Sequence, residues 1–566
     1  MHLGQQLVER LVGYGVGHVF GCPGGQTLAL YNGIASGDGT IEHVLMRDER
    51  SAIFAADAYA RATGVIGVCD ATVGPGASNL VSGLTEASAC STPLLAIVSD
   101  IPRQWEHRRH LASANQAFEQ RRFLEGVVKW YGRVETPEML PDILQACVRI
   151  ANSGRPGPVV LNIPADVFIA DAAEAAFPAT PDWGAYPRWR AGADPAVIEQ
   201  AARVLAAGTM PVIVAGGGAL HAGAGEAIVG LARALSCPVA TTMSGKGVIA
   251  ETHELAVGVA GRMGVSQAND AVAASDCVIF IGCKTGQATT MGWTNPAPDA
   301  RVIQIDIDPT EIGRNYPGAV GVHADALLGT IALREAIEGR EPASQWDLTA
   351  VNAAVEEWWS GPIGYKEEAP PGVLQPQDIV RIMSAAAGDD DVVVADASLA
   401  TGWVVGRWRS RRPGRQFYSP RGMGGLGWGL PGAVGVAEAL RAQGRNGRVI
   451  LLAGDGGWGY SMADVETAVR RGLPIVSVIL NNSTLAWIKH HAADRYPDGM
   501  VSEDFIDVDF AAAAVALGAN GERVDTTDAF DSALRKALDT AGAGPWVIET
   551  RSSGVESPVL ARSGGY

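Results

Sequence analysis

Two short polar segments, Gly454-Asp455-Gly456 and Asn481-Asn482, each follow a run of apolar residues. The runs, RVILLA and PIVSVIL, are rich in β-branched residues and predict buried strands. A helical stretch separates them, so we expect parallel neighbours whose carboxyl ends open on one crevice. Carboxylate and amide oxygens there are the hard ligands that Mg²⁺ takes together with substrate phosphates. The pair predicts a magnesium-diphosphate site, although asparagine is also a common turn residue.

Glu49 is a second candidate for chemistry. It follows the predicted strand IEHVLM and begins an alanine-rich helical stretch, ERSAIFAADAYARAT. An acid in the first turn of a helix also complements the helix dipole. Its position alone therefore does not separate a catalytic role from a structural one, and the neighbouring motifs must decide.

The elements that position these residues follow a pattern of short apolar strands alternating with alanine-rich helices. This pattern is typical of α/β folds with parallel sheets. It occurs three times, and Pro- and Trp-rich or charged connectors separate the three segments. We therefore predict three doubly wound parallel-sheet domains, at residues 1–175, 190–340 and 365–566.

Composition excludes several classes of function. The chain has 566 residues, is 47% hydrophobic and carries a formal net charge of -17, which disfavours binding to nucleic acid or to anionic membranes. It contains no apolar stretch long enough to span a membrane. The seven cysteines are scattered and form no CxxC pair, which is typical of a reducing compartment. We expect a globular, cytoplasmic protein.

The motifs around Glu49 resemble those of thiamine-diphosphate (ThDP) enzymes. VFGCPGG, DERSAIFAADAYARATG and GPGASN are similar to three N-terminal motifs of that family, and the stretch from GDG to NN is similar to its cofactor motif. The resemblance is strongest to the acetolactate synthase and pyruvate decarboxylase branch, which also includes benzaldehyde lyase. It implies pyrimidine-binding, central and diphosphate-binding domains in that order. It also makes Glu49 the acid beside the pyrimidine ring and implicates five further residues in cofactor binding: Pro23, Gly24, Gly25, Pro75 and Asn79.

The same resemblance assigns roles in the third segment. The side chains of Asp455 and Asn482 and the backbone carbonyl of Thr484 are expected to bind Mg²⁺. Gly424 is expected to accept a hydrogen bond from the 4′-amino group, and Leu426 to hold the two rings in a bent conformation. The diphosphate end is expected to contact the remaining candidates, which are Ala397, Ser398, Leu399, Ala400, Gly454, Gly456 and Gly457.

The segment STLAWIKHH, after the two asparagines, bears on the substrate because it lines the reaction chamber in relatives. Pyruvate decarboxylases have glutamate where this chain has Ile488, which disfavours simple aldehyde release. Acetolactate synthases have methionine and tryptophan where this chain has Trp487 and His491, so the acceptor site is expected to differ from theirs. His490 and His491 titrate near neutrality and are candidates for proton relay, with a solvated helix end as the alternative.

Two further candidates lie in the first segment. HLASANQAFEQRRFLEGVVKW is similar to a synthase segment that carries an active-site glutamine, which places that role on Gln116. His110 falls where some decarboxylases carry catalytic histidines, and a surface histidine at a helix end is the alternative.

The second segment raises the question of another cofactor. VIQIDIDPTEIGRN resembles the synthase central domain, which holds FAD in some members, ADP in others and neither in many. GCKTGQATT replaces the usual motif of that domain, so both FAD and ADP stay open.

These resemblances predict a ThDP- and Mg²⁺-dependent lyase or carboligase. It would act on a 2-ketoacid or acyloin and transfer an acyl carbanion equivalent to a carbonyl acceptor. The alternatives are a C–C hydrolase of a cyclic diketone, a flavin-linked 2-ketoacid oxidase, a simple 2-ketoacid decarboxylase and a noncatalytic regulatory relative. In relatives the catalytic glutamate meets a cofactor held by another subunit, so we expect at least a homodimer and predict a homotetramer.

Overall fold

The computed structural model describes residues 1–172, 177–340, 344–493, 495–496 and 499–558. These residues form three six-stranded sheets in which all neighbouring strands are parallel. The predicted α/β class is confirmed. Each of the three predicted segments contains one sheet, and the exact boundaries between them stay predictions.

The first sheet has the strand order β2-β1-β3-β4-β6-β5. Its strands are β1 (His18–Gly21), β2 (Glu42–Leu45), β3 (Gly67–Ala71), β4 (Leu94–Asp100), β5 (Trp130–Arg133) and β6 (Pro158–Pro164). The helices of this part are α1 (Leu3–Gly13), α2 (Leu28–Ala35), α3 (Glu49–Thr63), α4 (Pro75–Asn79), α5 (Val81–Cys90), α6 (Gln120–Glu125), α7 (Leu140–Asn152), α8 (Ala165–Phe168) and α9 (Pro181–Gly184).

The second sheet has the order β12-β11-β10-β7-β8-β9. Its strands are β7 (Pro211–Ala215), β8 (Val239–Thr241), β9 (Ala256–Val259), β10 (Cys277–Ile281), β11 (Arg301–Asp306) and β12 (Val320–His323). The accompanying helices are α10 (Pro195–Ala206), α11 (Gly217–His221), α12 (Gly225–Leu235), α13 (Ser266–Ala274), α14 (Ala326–Ile337) and α15 (Leu348–Ser360).

The third sheet has the order β14-β13-β15-β16-β18-β17. Its strands are β13 (Val392–Ala395), β14 (Phe417–Tyr418), β15 (Val449–Gly454), β16 (Ile475–Asn481), β17 (Asn520–Val524) and β18 (Trp546–Arg551). The helices are α16 (Pro376–Ala386), α17 (Leu399–Arg407), α18 (Gly429–Ala442), α19 (Asp455–Gly459), α20 (Val465–Arg471), α21 (Ala486–Ala493), α22 (Phe510–Ala516) and α23 (Thr527–Thr540). The pairing of β15 with β16, joined by a helical crossover, agrees with the sequence prediction.

Helices α3 and α18 join the first and third domains through one apolar core. A side chain at Gly435 would overlap the carbonyl oxygen of Ala55, so glycine is needed where the two helices approach. Trp428 Nε1 donates to Asp57 Oδ2 at 3.1 Å across the same interface. The relative position of the two domains is therefore set by close helix packing rather than by a linker.

The structure bears on the expectations about cysteine pairing and membrane-spanning segments. All seven cysteines are unpaired. Among the described residues, no helix combines the length and the apolar character needed to cross a lipid bilayer.

Candidate active site

A cavity of about 480 Å³ lies at the carboxyl ends of β13, β15 and β16. This is where open parallel sheets bind ligands. We call it the catalytic cavity. It is lined by all of the cofactor and substrate-pocket candidates predicted in the third domain: Ala397, Ser398, Leu399, Ala400, Gly424, Leu426, Gly454, Asp455, Gly456, Gly457, Asn482, Thr484, Trp487 and Ile488.

Asp455 follows the last residue of β15 and is buried. Its Oδ1 accepts a hydrogen bond from Gly456 N at 2.8 Å, whereas its Oδ2 is buried and has no hydrogen-bond partner among the described residues. Burial raises the pKa of this carboxyl, and backbone N–H groups of the neighbouring turns oppose that rise. A buried carboxylate oxygen without a partner fits a metal cation, which is the role predicted for this residue.

The turn after β16 brings the second predicted ligand to the same cavity. Asn481 Nδ2 donates to Glu549 Oε1 at 2.7 Å and to Val508 O at 3.0 Å, so this asparagine holds the turn. Ser483 has φ +54°, and Asn482 Oδ1 accepts from Thr484 N at 3.2 Å. Together with Asp455, this turn provides the oxygen ligands that Mg²⁺ prefers, and the residues present fit a magnesium-diphosphate group.

Ser398 adds a backbone feature to the diphosphate end. It precedes α17 with φ +72° and ψ -142°, a conformation that non-glycine residues rarely adopt. Such strain persists where the surroundings impose it, and it concentrates at functional sites. The strained residue therefore supports the predicted role of the 397–400 turn.

Asp396 is a positioning residue that the sequence analysis missed. It is 1% exposed, and its carboxylate accepts from Ala397 N at 2.7 Å and from Gly427 N at 3.1 Å. Its Oδ2 also lies where a side chain on Gly457 would stand. Burial raises the pKa of Asp396 to about 6. In the sequence, the only indication was an acidic residue directly after the run VVVA. Only the fold shows that this residue contacts three loops of the cavity.

The first-domain candidates form a separate cluster at the carboxyl end of that sheet. Glu49 Oε2 accepts from Asn79 Nδ2 at 2.9 Å, and Oε1 lies 3.0 Å from the position of a side chain on Gly76. Gln116, with φ +62°, packs against Gly74. Gly24 packs against Thr72, and Pro23, Gly25 and Pro75 lie nearby in sequence. None of these candidates lines the catalytic cavity of the same chain.

Comparison with known proteins agrees with this geometry. Residues 1–121, 198–333 and 396–550 match, respectively, the N-terminal TPP binding domain, the central domain and the C-terminal TPP binding domain of thiamine pyrophosphate enzymes. The chain is 31% identical to the probable acetolactate synthase large subunit of Methanococcus aeolicus over 564 residues, covering 95% of this chain and 90% of the relative.

The chain belongs to the acetolactate synthase family of thiamine pyrophosphate enzymes. It is also 33% identical to the acetolactate synthase of Arthrospira platensis, covering 96% of this chain and 93% of the relative. The acetolactate synthase isozyme 2 large subunit of Escherichia coli (strain K12) is 30% identical, with 98% and 96% covered. The predictions of family and of a ThDP-dependent enzyme with carboligase activity are confirmed.

The three candidate histidines do not line the catalytic cavity of this thiamine pyrophosphate enzyme. His110 is exposed in a 3-10 turn at residues 110–112. His490 and His491 lie half-buried on α21, and burial lowers the pKa of His490. The roles predicted for all three stay predictions.

The central domain of the thiamine pyrophosphate enzyme holds a second cavity of about 310 Å³, which we call the central cavity. The glycine turn 216–218 after β7 lines it, together with Lys284 and Arg155. Asp306, at the end of β11, also lines it, and burial raises its pKa to about 6. A glycine turn with a carboxylate on a nearby strand end fits the ribose and phosphates of a nucleotide. Arg155 pairs with Glu311, which also lines this cavity, at 2.7 Å.

Proposed function

We propose that this enzyme is a ThDP- and Mg²⁺-dependent carboligase for 2-ketoacids, with acyloins as an alternative donor. In the ketoacid reaction, the bond between the donor's carboxylate and its carbonyl carbon would break with loss of CO₂, and the remaining acyl carbanion equivalent and one proton would then add to the carbonyl acceptor. Acetolactate synthases are the relatives whose names support this class. The observation that carries the proposal is the catalytic cavity, which Asp455, with its unpartnered Oδ2, lines together with Trp487 and Ile488.

Different residues of the chain would have different roles in this reaction. When bound, ThDP supplies the nucleophilic carbon that adds to the donor carbonyl and accepts the electron pair of the broken bond. Asp455, Asn482 and the Thr484 carbonyl would hold Mg²⁺ and, through it, the diphosphate. Glu49, oriented by Asn79, would hold a proton at the pyrimidine ring.

The side chains near the reaction chamber favour ligation over aldehyde release. Ile488 lines the catalytic cavity and offers no group for proton transfer, and Trp487 and Leu480 add apolar surface. Apolar side chains of this kind cannot donate a proton to the carbanion equivalent. This supports transfer to an acceptor rather than protonation to an aldehyde.

A substrate panel tests the proposal directly. The purified enzyme with ThDP and Mg²⁺ is incubated with pyruvate, 2-ketobutyrate, branched and aromatic ketoacids, acyloins and cyclic diketones, and products are identified by mass spectrometry. We expect a 2-hydroxy-3-oxo acid and one CO₂ per new C–C bond. Aldehyde alone would identify a decarboxylase, acid released from a diketone a hydrolase, and oxidant-dependent acid formation an oxidase. No conversion of any substrate would contradict an enzymatic role.

We further propose that the active site is completed by a second copy of the chain, in a homodimer at minimum and in the predicted homotetramer. Glu49 belongs to a cluster that does not line the catalytic cavity of its own chain, and this supports a site shared between subunits.

Mixing two inactive variants tests the shared site. In a heterodimer of Glu49→Gln and Asp455→Asn chains, one site contains both mutations and the other contains neither. Purified heterodimers are therefore expected to retain about half of wild-type activity. Activity is measured after co-expression and purification through two different affinity tags. Failure to recover activity in verified heterodimers would show that both residues act within one chain.

For the central cavity we propose an adenine nucleotide, which is the part that FAD and ADP share. The glycine turn and Asp306 support this class of ligand. The absorption spectrum of the purified enzyme and the mass of the released ligand distinguish FAD from ADP.

A further inference from the structure

Arg421 lies on the boundary between the catalytic cavity and the central cavity. It lines both, together with Met243, Gln287 and Ala288. The loop that follows it, residues 422–426, carries Gly424 and Leu426 into the catalytic cavity. A charged side chain at this place lines the cavity in which the proposed reaction would occur.

The backbone beside Arg421 is firmly anchored. Glu86 on α5 is 1% exposed, and its carboxylate accepts from Gly422 N and from Met423 N, both at 2.7 Å. A side chain on Gly422 would lie 2.7 Å from Ala89 Cβ, so the loop packs directly on α5. The guanidinium of Arg421 therefore extends from a backbone held by charge-assisted hydrogen bonds.

The charge balance of the catalytic cavity favours a role for this cation. Among the described residues that line it, the basic ones are Arg262 and Arg421, and the acidic ones are Asp455 and Glu556. Glu556 is engaged elsewhere, since it accepts from Lys366 N at 2.7 Å and from Gln377 Nε2 at 3.1 Å. An acceptor ketoacid keeps its carboxylate throughout ligation, and a buried carboxylate needs a counter-charge.

The two arginines differ in where they lie. Arg262 belongs to the central domain, where its backbone N donates to Ala288 O at 2.9 Å and its neighbour Met263 packs with Trp403. Arg421 precedes the loop expected to contact the cofactor rings, where the new bond forms. A guanidinium pairs with a carboxylate through two parallel hydrogen bonds.

We propose that Arg421 binds the carboxylate of the acceptor ketoacid and thereby selects anionic over neutral acceptors. This inference rests on the proposed carboligase function. It assigns to this loop a specificity role beyond contact with the cofactor.

Ligand-observed NMR on the ThDP- and Mg²⁺-loaded enzyme tests the assignment with 2-hydroxyisobutyrate and its uncharged counterpart, 2-hydroxyisobutyramide. Wild type is expected to bind the carboxylate more tightly than the amide. Arg421→Gln should weaken carboxylate binding by about tenfold or more and change amide binding by less than about twofold. Arg421→Lys should recover part of the loss, and Arg262→Gln should keep the wild-type preference. Bound ThDP is measured in every variant to verify that the site is intact.

The same variants are then assayed with 2-ketobutyrate and with propanal as acceptors, where Arg421→Gln should raise KM for the ketoacid selectively. The assignment would be overturned if the wild type showed no preference for the carboxylate, or if Arg421→Gln kept that preference. It would also be overturned if Arg421→Gln weakened the binding of both ligands equally, or if only Arg262→Gln weakened carboxylate binding. A wild type that binds the carboxylate through Arg421 but forms no C–C bond would overturn the proposed carboligation and leave the carboxylate site standing.

Discussion

Replacing Asp455 with asparagine is expected to abolish retention of ThDP and Mg²⁺. The substitution keeps the size of the side chain and removes the negative charge whose Oδ2 has no partner in the buried site. Loss of even an outer hydrogen-bond partner of a metal ligand weakens metal binding by about 10–100-fold, so loss of the ligand charge should weaken it by at least about 100-fold. Equilibrium dialysis with quantified Mg²⁺ and ThDP measures the effect.

The metal-free protein provides the control for folding. Burial raises the pKa of Asp455, which means that its charged form is destabilised in the fold without a metal. Asp455→Asn should therefore be at least as stable as the wild type after dialysis against a chelator, as measured by thermal unfolding. Asp390→Asn, in an exposed position of the same domain, should retain both ligands. Normal ThDP retention by Asp455→Asn would exclude the proposed metal role.

Replacing Glu49 with glutamine is expected to reduce kcat by at least about 100-fold, the scale on which a positioned acid–base group contributes. Glutamine has nearly the same shape, and its amide oxygen can still accept the hydrogen bond from Asn79. The protein should therefore fold, dimerise and bind ThDP. Proton exchange at the thiazolium C2 of the bound cofactor, followed by quenched NMR, should slow together with kcat.

The neighbouring acid provides the matched control. Asp48 caps α3 by accepting from Ser51 N at 2.7 Å, and asparagine is an equally good cap. Asp48→Asn should therefore change kcat by less than about threefold. Exchange at wild-type rate in Glu49→Gln would show that another group serves the pyrimidine ring.

The third-domain site was predictable because its chemistry is encoded locally. Asp455 and Asn482 each follow a strand that its own residues define, and adjacent parallel strands must bring their carboxyl ends together. The resemblance to ThDP enzymes, rather than this argument, assigned Ser398 and its neighbours to the diphosphate end, and the structure has them directly after β13. These residues line one cavity because the order of the strands in the sheet places the carboxyl ends of β13, β15 and β16 side by side.

Asp396 and Glu86 show what local patterns cannot reveal. Each accepts hydrogen bonds from backbone N–H groups of distant loops, at 427 for Asp396 and at 422 and 423 for Glu86. An acid in a strand or helix looks ordinary in sequence, because its partners are known only after the domains pack. The candidate histidines were equally ambiguous, and none of the three lines the catalytic cavity.

By itself, the sequence determined the α/β class, the three sheets and the residues at the strand ends, because strand and helix periodicity and turn chemistry act over a few neighbouring positions. The tertiary structure alone decided that Arg421 stands between two cavities, that Asp396 ties three loops together and that Glu49 lies in a separate cluster. The physical reason is that close packing and buried hydrogen bonds join residues hundreds of positions apart, and no local pattern specifies those distances.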